Sequence, residues 1–369
     1  MEQTITAKFQ ILPDAQQQVI LKDAMNAYLQ GCNYVSDYVF RTHDLKQKTI
    51  NQALYYDLRA RFGLPSQMAQ SVIRTVIGSY RTILSNHQPW TQVVYRHGFY
   101  DLVWNRDYIL RADAFSINTL SGRLKLAFKS KYFDKYLDGK NTFGSAKVVC
   151  KKGKFFLHVS ITMEVPDTLS VCNVVGVDRG VNFLAATYDS KGKITFYSGR
   201  AVKQKRAKYK QLRRELQQRQ TKSARRRLKQ IGQRENRWMS DVNHQISKAL
   251  VESNPAGSMF VLEDLTGIRQ ATEKVFRKNR YVMVSWAFYD LEQKLKYKAI
   301  RAGSQVINVD PAYTSQTCPK CGFVSKSNRD KKLHSFHCKS CGYRSNDDRV
   351  AAMNLHFKGI QYHSAVTCG

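Results

Sequence analysis

Val174-Val175-Gly176-Val177-Asp178 is an apolar run that ends on a carboxylate. Its β-branched residues predict a strand packed into a core. A charge at the end of such a strand costs several kcal/mol unless a cation or hydrogen bonds compensate it. The arrangement returns at Met259-Phe260-Val261-Leu262-Glu263-Asp264. A third acidic segment, Asn346-Asp347-Asp348-Arg349-Val350-Ala351-Ala352, opens a predicted helix that runs on through Asn354 and Leu355. Asp178, Glu263 and Asp348 stand far apart in the chain, so any site they share must be assembled by folding. Taken singly, each acid reads as a helix cap or a salt-bridge partner, and Asp347 and Asp348 both suit an N-cap position. Asp264 and Asp310 are further acids that the pattern leaves open. Taken together, three acids at strand and helix ends favour a divalent-metal site. Phosphodiester cleavage by two cations about 4 Å apart requires such a convergence of carboxylate oxygens. One Mg2+ would activate the attacking water and the other would stabilise the leaving 3′ oxygen.

Between the second and third acidic segments lie Cys318-Pro319-Lys320-Cys321 and Cys338-Lys339-Ser340-Cys341. The spacing is that of a zinc ribbon or treble clef. Gly322 and Gly342 each follow a pair, where the turn around a metal needs a residue free of Cβ constraints. His334 and His337 stand nearby as substitutes for a cysteine, but four thiolates already close a tetrahedral site. The expected zinc is therefore structural, with no position left open for catalysis. The other cysteines (Cys32, Cys150, Cys172 and Cys368) are scattered and read as plain thiols.

The chain carries 60 Lys+Arg against 28 Asp+Glu, a net charge of +32 over 369 residues. An excess that large points to a polyanionic partner. No run of 18 apolar residues offers a membrane span, and the first residues carry no signal-peptide core, so no membrane partner and a cytoplasmic, nucleoid-associated location are expected. The charge concentrates in a predicted helical stretch, residues 203–237, with 15 Lys/Arg and 2 Glu. A face so one-sided repels itself unless phosphates neutralise it. Arg225, Arg226 and Arg227 are the candidates for backbone contact. Further on, Trp238, Val242, Ile246 and Leu250 recur at helical spacing and read as core.

The N-terminal half reads differently. Ile5, Ala7, Phe9 and Ile11 alternate as a half-buried strand. Pro13-Asp14 starts helical spacing that continues, broken near Gly63-Leu64-Pro65-Ser66, to about residue 86. Short strands then fill 92–165, with turns at Asn105-Arg106-Asp107, Ser121-Gly122 and Lys152-Gly153. These are read as one β-barrel, begun by the first strand and interrupted by the helices. Beyond residue 166, strands at 173–187, 194–197, 258–263 and 305–309 alternate with helices, including one at 285–302, which makes the second half α/β.

Residues 170–357 contain Gly176-Val177-Asp178-Arg179-Gly180, Leu262-Glu263-Asp264-Leu265, Trp286 with Leu295-Lys296-Tyr297-Lys298-Ala299, and Tyr313-Thr314-Ser315-Gln316-Thr317-Cys318 with the cysteine pairs. In these segments the chain resembles TnpB, the transposon-encoded RNA-guided nuclease related to the type V CRISPR effectors. The N-terminal half resembles it more loosely, in an opening strand, a Pro-initiated helix with glutamines, and Asn33-Tyr34. The resemblance implies an α/β multidomain protein with an RNase-H-like RuvC nuclease domain (169–311 and 344–369) into which a zinc-binding, target nucleic-acid-binding module (312–343) is inserted. It also implies a wedge β-barrel (1–12 and 90–168) and a helical recognition lobe (13–89). Asp178, Glu263 and Asp348 become the Mg2+ ligands, and Cys318, Cys321, Cys338 and Cys341 the Zn2+ ligands. A guide RNA from the transposon end, a double-stranded DNA target with a short adjacent motif, and double-strand cleavage are implied too. Gln70 and Arg74, one turn apart on a predicted helix, are the choice for contact with that motif.

Two departures stand out. The family's third acidic motif reads Asp-x-Asn-Ala-Ala, and Val350 stands here in the Asn position. Asp347 occupies a place where the family often has Arg, and so competes with Asp348 for its role. One branch of the family has lost the acids and only binds DNA, a repressor; retention of all three argues against it. A transposase acting on transposon ends would use the same RNase-H-like carboxylates without an RNA.

Overall fold

The computed structural model describes residues 1–111, 114–129, 136–265 and 288–367. The chain divides into two compact units, Met1–Glu164 and Val165–Gly369.

In the first unit, β1 (Glu2–Ile11) buries Ala7, Phe9 and Ile11 on one face, as the alternation predicts. It pairs antiparallel along its whole length with β7 (Lys154–Glu164), which pairs with β6 (Thr142–Lys151), which pairs with β2 (Phe99–Leu102). A second sheet holds β3 (Tyr108–Leu110), β4 (Ala114–Thr119) and β5 (Gly122–Ala127) in that order. An isolated bridge between Ile11 and Phe128 links the end of β1 to the segment after β5.

Three helices lie between β1 and β2 in the chain. Asp14 starts α1 (Ala15–Thr42) with a capping box, its side chain accepting from the Gln17 amide while the Gln17 side chain accepts from the Asp14 amide. A left-handed His43 ends α1, a break that no Gly or Pro announces. α2 (Gln47–Phe62) and α3 (Ser66–Ser85) follow, separated by Gly63 at φ 64°. Tyr28, Tyr80 and Tyr100 are fully buried among these helices and the first sheet.

The second unit is built on a five-stranded sheet. Its strands are β8 (Asn173–Asp178), β9 (Phe183–Asp189), β10 (Ile194–Ser198), β11 (Ser258–Glu263) and β12 (Gln305–Val309), in the order β10-β9-β8-β11-β12. β8, β9 and β10 form an antiparallel meander, whereas β11 runs parallel to both β8 and β12. Parallel neighbours need crossovers, which α4 (Arg200–Arg219) with α5 (Lys222–Glu252), and α6 (Phe288–Arg301), supply. β8 and β11 are buried along their length, as strands covered on both faces must be. Val175, Val177, Phe260 and Leu262 meet Ile246 and Leu250 of α5 and Leu291 and Leu295 of α6. The alternate residues Val174, Met259 and Val261 meet Leu355 of the last helix, α7 (Asp347–Thr367). The expected helix at 285–302 corresponds to α6, its first three residues, Trp286 among them, lying outside the described set. The basic stretch is two helices rather than one, divided at a left-handed Gln220.

The four-cysteine segment adds a small sheet, β13 (Arg329–Asp330), β14 (Ser335–His337) and β15 (Arg344–Asn346). The fold as a whole is mixed α/β. Among the described residues no helix is long and apolar enough to cross a membrane.

Candidate active site

Strand alternation decides where the acids go. Along β8 the α7-facing positions are 174, 176 and 178; along β11 they are 259, 261 and 263. Asp178 and Glu263 therefore end adjacent strands on the face that α7 covers. Helix α7 lies close because Gly176 and Gly359 have no side chains: a Cβ on Gly176 would collide with the Ala352 carbonyl and the His356 amide, and one on Gly359 with Val261 and Val174. Ala352 is one turn beyond Asp348. The same close approach thus sets where the first turn of α7 stands relative to Asp178.

The charges interact accordingly. Burial, followed by the negative charges of Glu263 and Asp348, holds the Asp178 carboxyl well above the usual range, with Arg329 opposing. Burial and then Asp347 raise Asp348, against His334, Arg329 and Lys203. Acids that repel one another in this way form a site a cation would relieve.

Asp347 and Asp348 are adjacent but differently committed. Asp347 is fully buried; its Oδ2 accepts from Arg329 Nε at 2.8 Å and its Oδ1 from the Asp348 amide at 3.0 Å. Asp348 is 9% exposed, and its Oδ2 is buried with no hydrogen-bond partner among the described residues. Neither caps the helix: Asn346 does, accepting from the Asp348 and Arg349 amides at 3.0 and 3.1 Å. His334 stands with the aspartates rather than the cysteines, the donor atoms of His334, Asp347 and Asp348 lying within 4.8 Å of one another. The Asn182 side chain contacts the His334 ring, and Lys203 donates to Asn182.

Several of these supporting residues carry no signal in the sequence. Thr314 donates its hydroxyl to Glu263 Oε1. Asn354, on α7, donates to the carbonyls of Thr314 and Thr317 at 2.6 and 2.8 Å, fixing the segment that enters the cysteine module. The Tyr-Thr-Ser-Gln-Thr-Cys string singled out the segment but not these contacts. Asp310 accepts from the Ala312 amide in a turn, and Asp264, the residue after Glu263, is exposed.

The four thiols of Cys318, Cys321, Cys338 and Cys341 face a common centre. Cys318 and Cys341 have their sulfurs 3.6 Å apart, as do Cys321 and Cys338. A tetrahedral zinc with bonds of about 2.3 Å separates its sulfurs by about 3.8 Å, so the donor set fits that ion. Gly322 and Gly342 take φ of 73° and 72° after each pair. Burial acts to raise the Cys338 thiol, but the backbone N–H groups of Cys341 and Ser340, each 3.4 Å from its sulfur, and the neighbouring Cys321 and Cys341 thiols draw it down to about 6. At Cys341 the Tyr343 backbone acts to lower the thiol, whereas its cysteine neighbours push it up to about 12. A low thiol beside a high one shares a single proton between them, which a bound cation would displace.

Arg225, Arg226 and Arg227 are all exposed on the first turns of α5. In the first unit, Arg74 lines a cleft of about 660 Å³ together with Thr6, Asp101, Lys147, His158 and Ser160. Gln70, one turn earlier on α3, is half-buried and is not among the cleft's lining residues. Asp101 at the cleft wall takes hydrogen bonds from Tyr28 and Thr75 at 3.1 and 2.7 Å and pairs with Lys147 at 3.3 Å. Burial, then the charges of Lys8, Lys147 and Lys151, push the His158 imidazole down, so it adds hydrogen bonding rather than charge at pH 7.

A mixed α/β chain with a crowded acid centre and a four-thiol module has relatives of known kind. Residues 158–266 match a family described as a probable transposase, and residues 288–355 match the Cas12f1-like TNB domain. A CRISPR-associated endodeoxyribonuclease Cas12f1 of Sulfoacidibacillus thermotolerans is 29% identical over 252 residues, 62% of this chain and 56% of the relative. A TnpB-like protein of Methanocaldococcus jannaschii is 36% identical over 129 residues, 35% of this chain and 45% of the relative. Among solved structures, the Cas12f1 chain of a Cas12f1-sgRNA-target DNA complex matches with a TM-score of 0.64 at 15% identity, over 92% of this chain and 83% of that one, a likeness of fold. The matches span about half the length of the curated relatives. In these segments the chain is similar to TnpB-like proteins and to type V effectors.

Proposed function

We propose that this chain is an RNA-guided DNA endonuclease of transposon origin, whose RNase-H-like RuvC centre consists of Asp178, Glu263 and Asp348. The observation that carries the reading is the crowding of these carboxylates beneath α7, with the Asp348 Oδ2 atom buried and unpartnered among the described residues. Asp178, Glu263 and Asp348 would hold divalent cations, two Mg2+ ions on this reading, which would supply the charge needed to activate a water and stabilise the leaving 3′ oxygen. The chain's own residues hold the oxygens for them. Thr314 orients Glu263. Arg329 engages Asp347, which leaves Asp348 the acid available to a cation. Cys318, Cys321, Cys338 and Cys341 hold a structural Zn2+ within residues 312–343, and the nuclease domain comprises 169–311 and 344–369.

Nucleic acid is the second half of the reading. The charge of +32 suits an RNA and a heteroduplex recognised through backbone and shape. Arg225, Arg226 and Arg227 offer exposed guanidinium groups to phosphates. On the first unit, read as a wedge barrel (1–12 and 90–168) with a recognition lobe (13–89), Arg74 in its cleft is the candidate for contact with the adjacent DNA motif, with Gln70 beside it. Relatives named as endodeoxyribonucleases support the chemistry, and a structural neighbour titled as a complex with guide RNA and target DNA supports the partners.

The test is to purify the protein from its native locus and sequence the RNA that accompanies it. One abundant transcript with a variable terminus supplies the guide, and the loaded complex should then cut matching DNA in Mg2+. Asp178→Ala should abolish cleavage while DNA binding stays within a few-fold. Cleavage by that variant at the native rate refutes the assignment, and random or absent RNA refutes the guided mechanism.

A further inference from the structure

The central ladder of the sheet stops just short of the acids. β8 and β11 are paired as far as Val177 opposite Leu262. Beyond that point Asp178 stays registered with Ala186 of β9 and Glu263 with Val309 of β12, each on its outer side. The two acid-bearing ends are therefore tied to their outer neighbours and not to each other.

Arg179 spans the opening. It follows Asp178, so the strand's alternation turns it to the opposite face of the sheet, toward α6. Its Nη2 donates to the carbonyl oxygen of Glu263. Its Nη1 donates to Glu292 Oε2 at 2.8 Å and to the Phe288 carbonyl at 3.3 Å. Glu292, on α6, accepts at Oε1 from Lys296 at 2.7 Å and from Asn308 of β12 at 2.9 Å. The Arg179 and Glu292 side chains are 1% and 10% exposed. Burial acts to raise Glu292, but the hydrogen bonds from Asn308, Lys296 and Arg179, with the arginine's charge, hold it below the usual carboxylate range. An ion pair this buried repays its desolvation poorly as stability alone, and a positional use accounts for keeping it.

We propose that Arg179 and Glu292 are positioning residues of the acid centre: the guanidinium bridges the separated ends of β8 and β11, and Glu292 neutralises it so that the carboxylates stay available to a divalent cation. The proposal rests on the nuclease reading above. Glu292→Gln should leave an unmatched arginine one residue from Asp178 and weaken cation binding. Arg179→Lys keeps the charge but cannot reach the Glu263 carbonyl and Glu292 together.

The experiment is a Mn2+ titration of the zinc-loaded full-length protein, read by electron paramagnetic resonance of free Mn2+, beside the Mg2+ dependence of cleavage. Glu292→Gln should lose affinity by about tenfold, the low end of roughly 10- to 100-fold for lost supporting partners. The half-saturating Mg2+ concentration for cleavage should rise with it, while the rate at saturating Mg2+ falls less. Asn308→Ala removes one exposed contact to Glu292, guards against misfolding of the buried variants, and should show a smaller change of the same sign. Native Mn2+ affinity in folded Glu292→Gln and Asn308→Ala, with only a lower Tm, overturns the proposal. Asp178→Ala is the separate control: if it too binds Mn2+ like the native protein, the nuclease reading itself has failed.

Discussion

The thiol cluster and the acid cluster solve opposite problems. The four cysteines come from two short loops joined by a small sheet, and backbone N–H groups favour the thiolate of Cys338 there before any metal binds. The acids come from two strands and a helix, and burial, then neighbouring carboxylates, opposes ionisation of Asp178 and Asp348. One site is closed by its own ligands; the other keeps a buried oxygen without a partner among the described residues. On the proposed reading, the difference is that between a cation that would hold a module together and cations that would meet a substrate.

Breaking the closed site should have the largest effect. Cys338→Ser should lose zinc, read as metal content per chain, and unfold the cysteine module, since structural zinc contributes about 10–16 kcal/mol of apparent binding energy. Through Thr314, which that module carries to Glu263, cleavage should fall as well. The open site should behave in the contrary sense. Asp178→Asn should cost cleavage roughly a thousandfold, the several kcal/mol that metal catalysis contributes. The same change should raise the Tm of zinc-loaded protein kept free of Mg2+, because it removes repulsion. A fall in Tm would mean that Asp178 is a structural partner.

Gly176→Ala sharpens the comparison. The added methyl meets backbone of α7, which must shift, at an expected cost of about 1–3 kcal/mol. Cleavage should drop more than Tm does, while zinc content stays native. The smallest effect is on pH dependence. Glu292 is depressed when folded, so its contribution is present above its unfolded value of 4.5 and is lost as pH falls through the folded value. Asp178 is raised, so the metal-free fold loses stability as pH climbs from its unfolded value of 3.8 through the folded one. Melting curves of zinc-loaded protein without Mg2+, from about pH 3 to 7, should therefore flatten at the acid end in Glu292→Gln and, above 3.8, in Asp178→Asn.

Local signals were readable in the sequence, and distant ones were not. Alternation marked β1, Asp14 marked the start of α1, and the cysteine spacing brought four thiols to one centre. The breaks at His43 and Gln220 went unread because neither left-handed residue is a glycine. The three carboxylates stood out because each ends an apolar run or opens a helix. Arg329, Thr314, Asn354 and Glu292 did not, since ordinary polar residues acquire their meaning only from partners that folding brings near. The overlap of Asp347 and Asp348 shows the same limit: adjacent identical side chains separate only when Arg329 is seen to engage one of them.

The central claim is that residues from β8, β11 and α7 hold divalent cations in one place. Zinc-loaded protein can be given Fe2+ in place of Mg2+ and treated with ascorbate and peroxide, so that radicals cut the polypeptide where the iron sits. Fragments ending near residues 178, 263 and 348 together, suppressed by excess Mg2+ and absent from Asp178→Asn, are the predicted result. Cuts confined to one of these segments, or to the cysteine module alone, would contradict it.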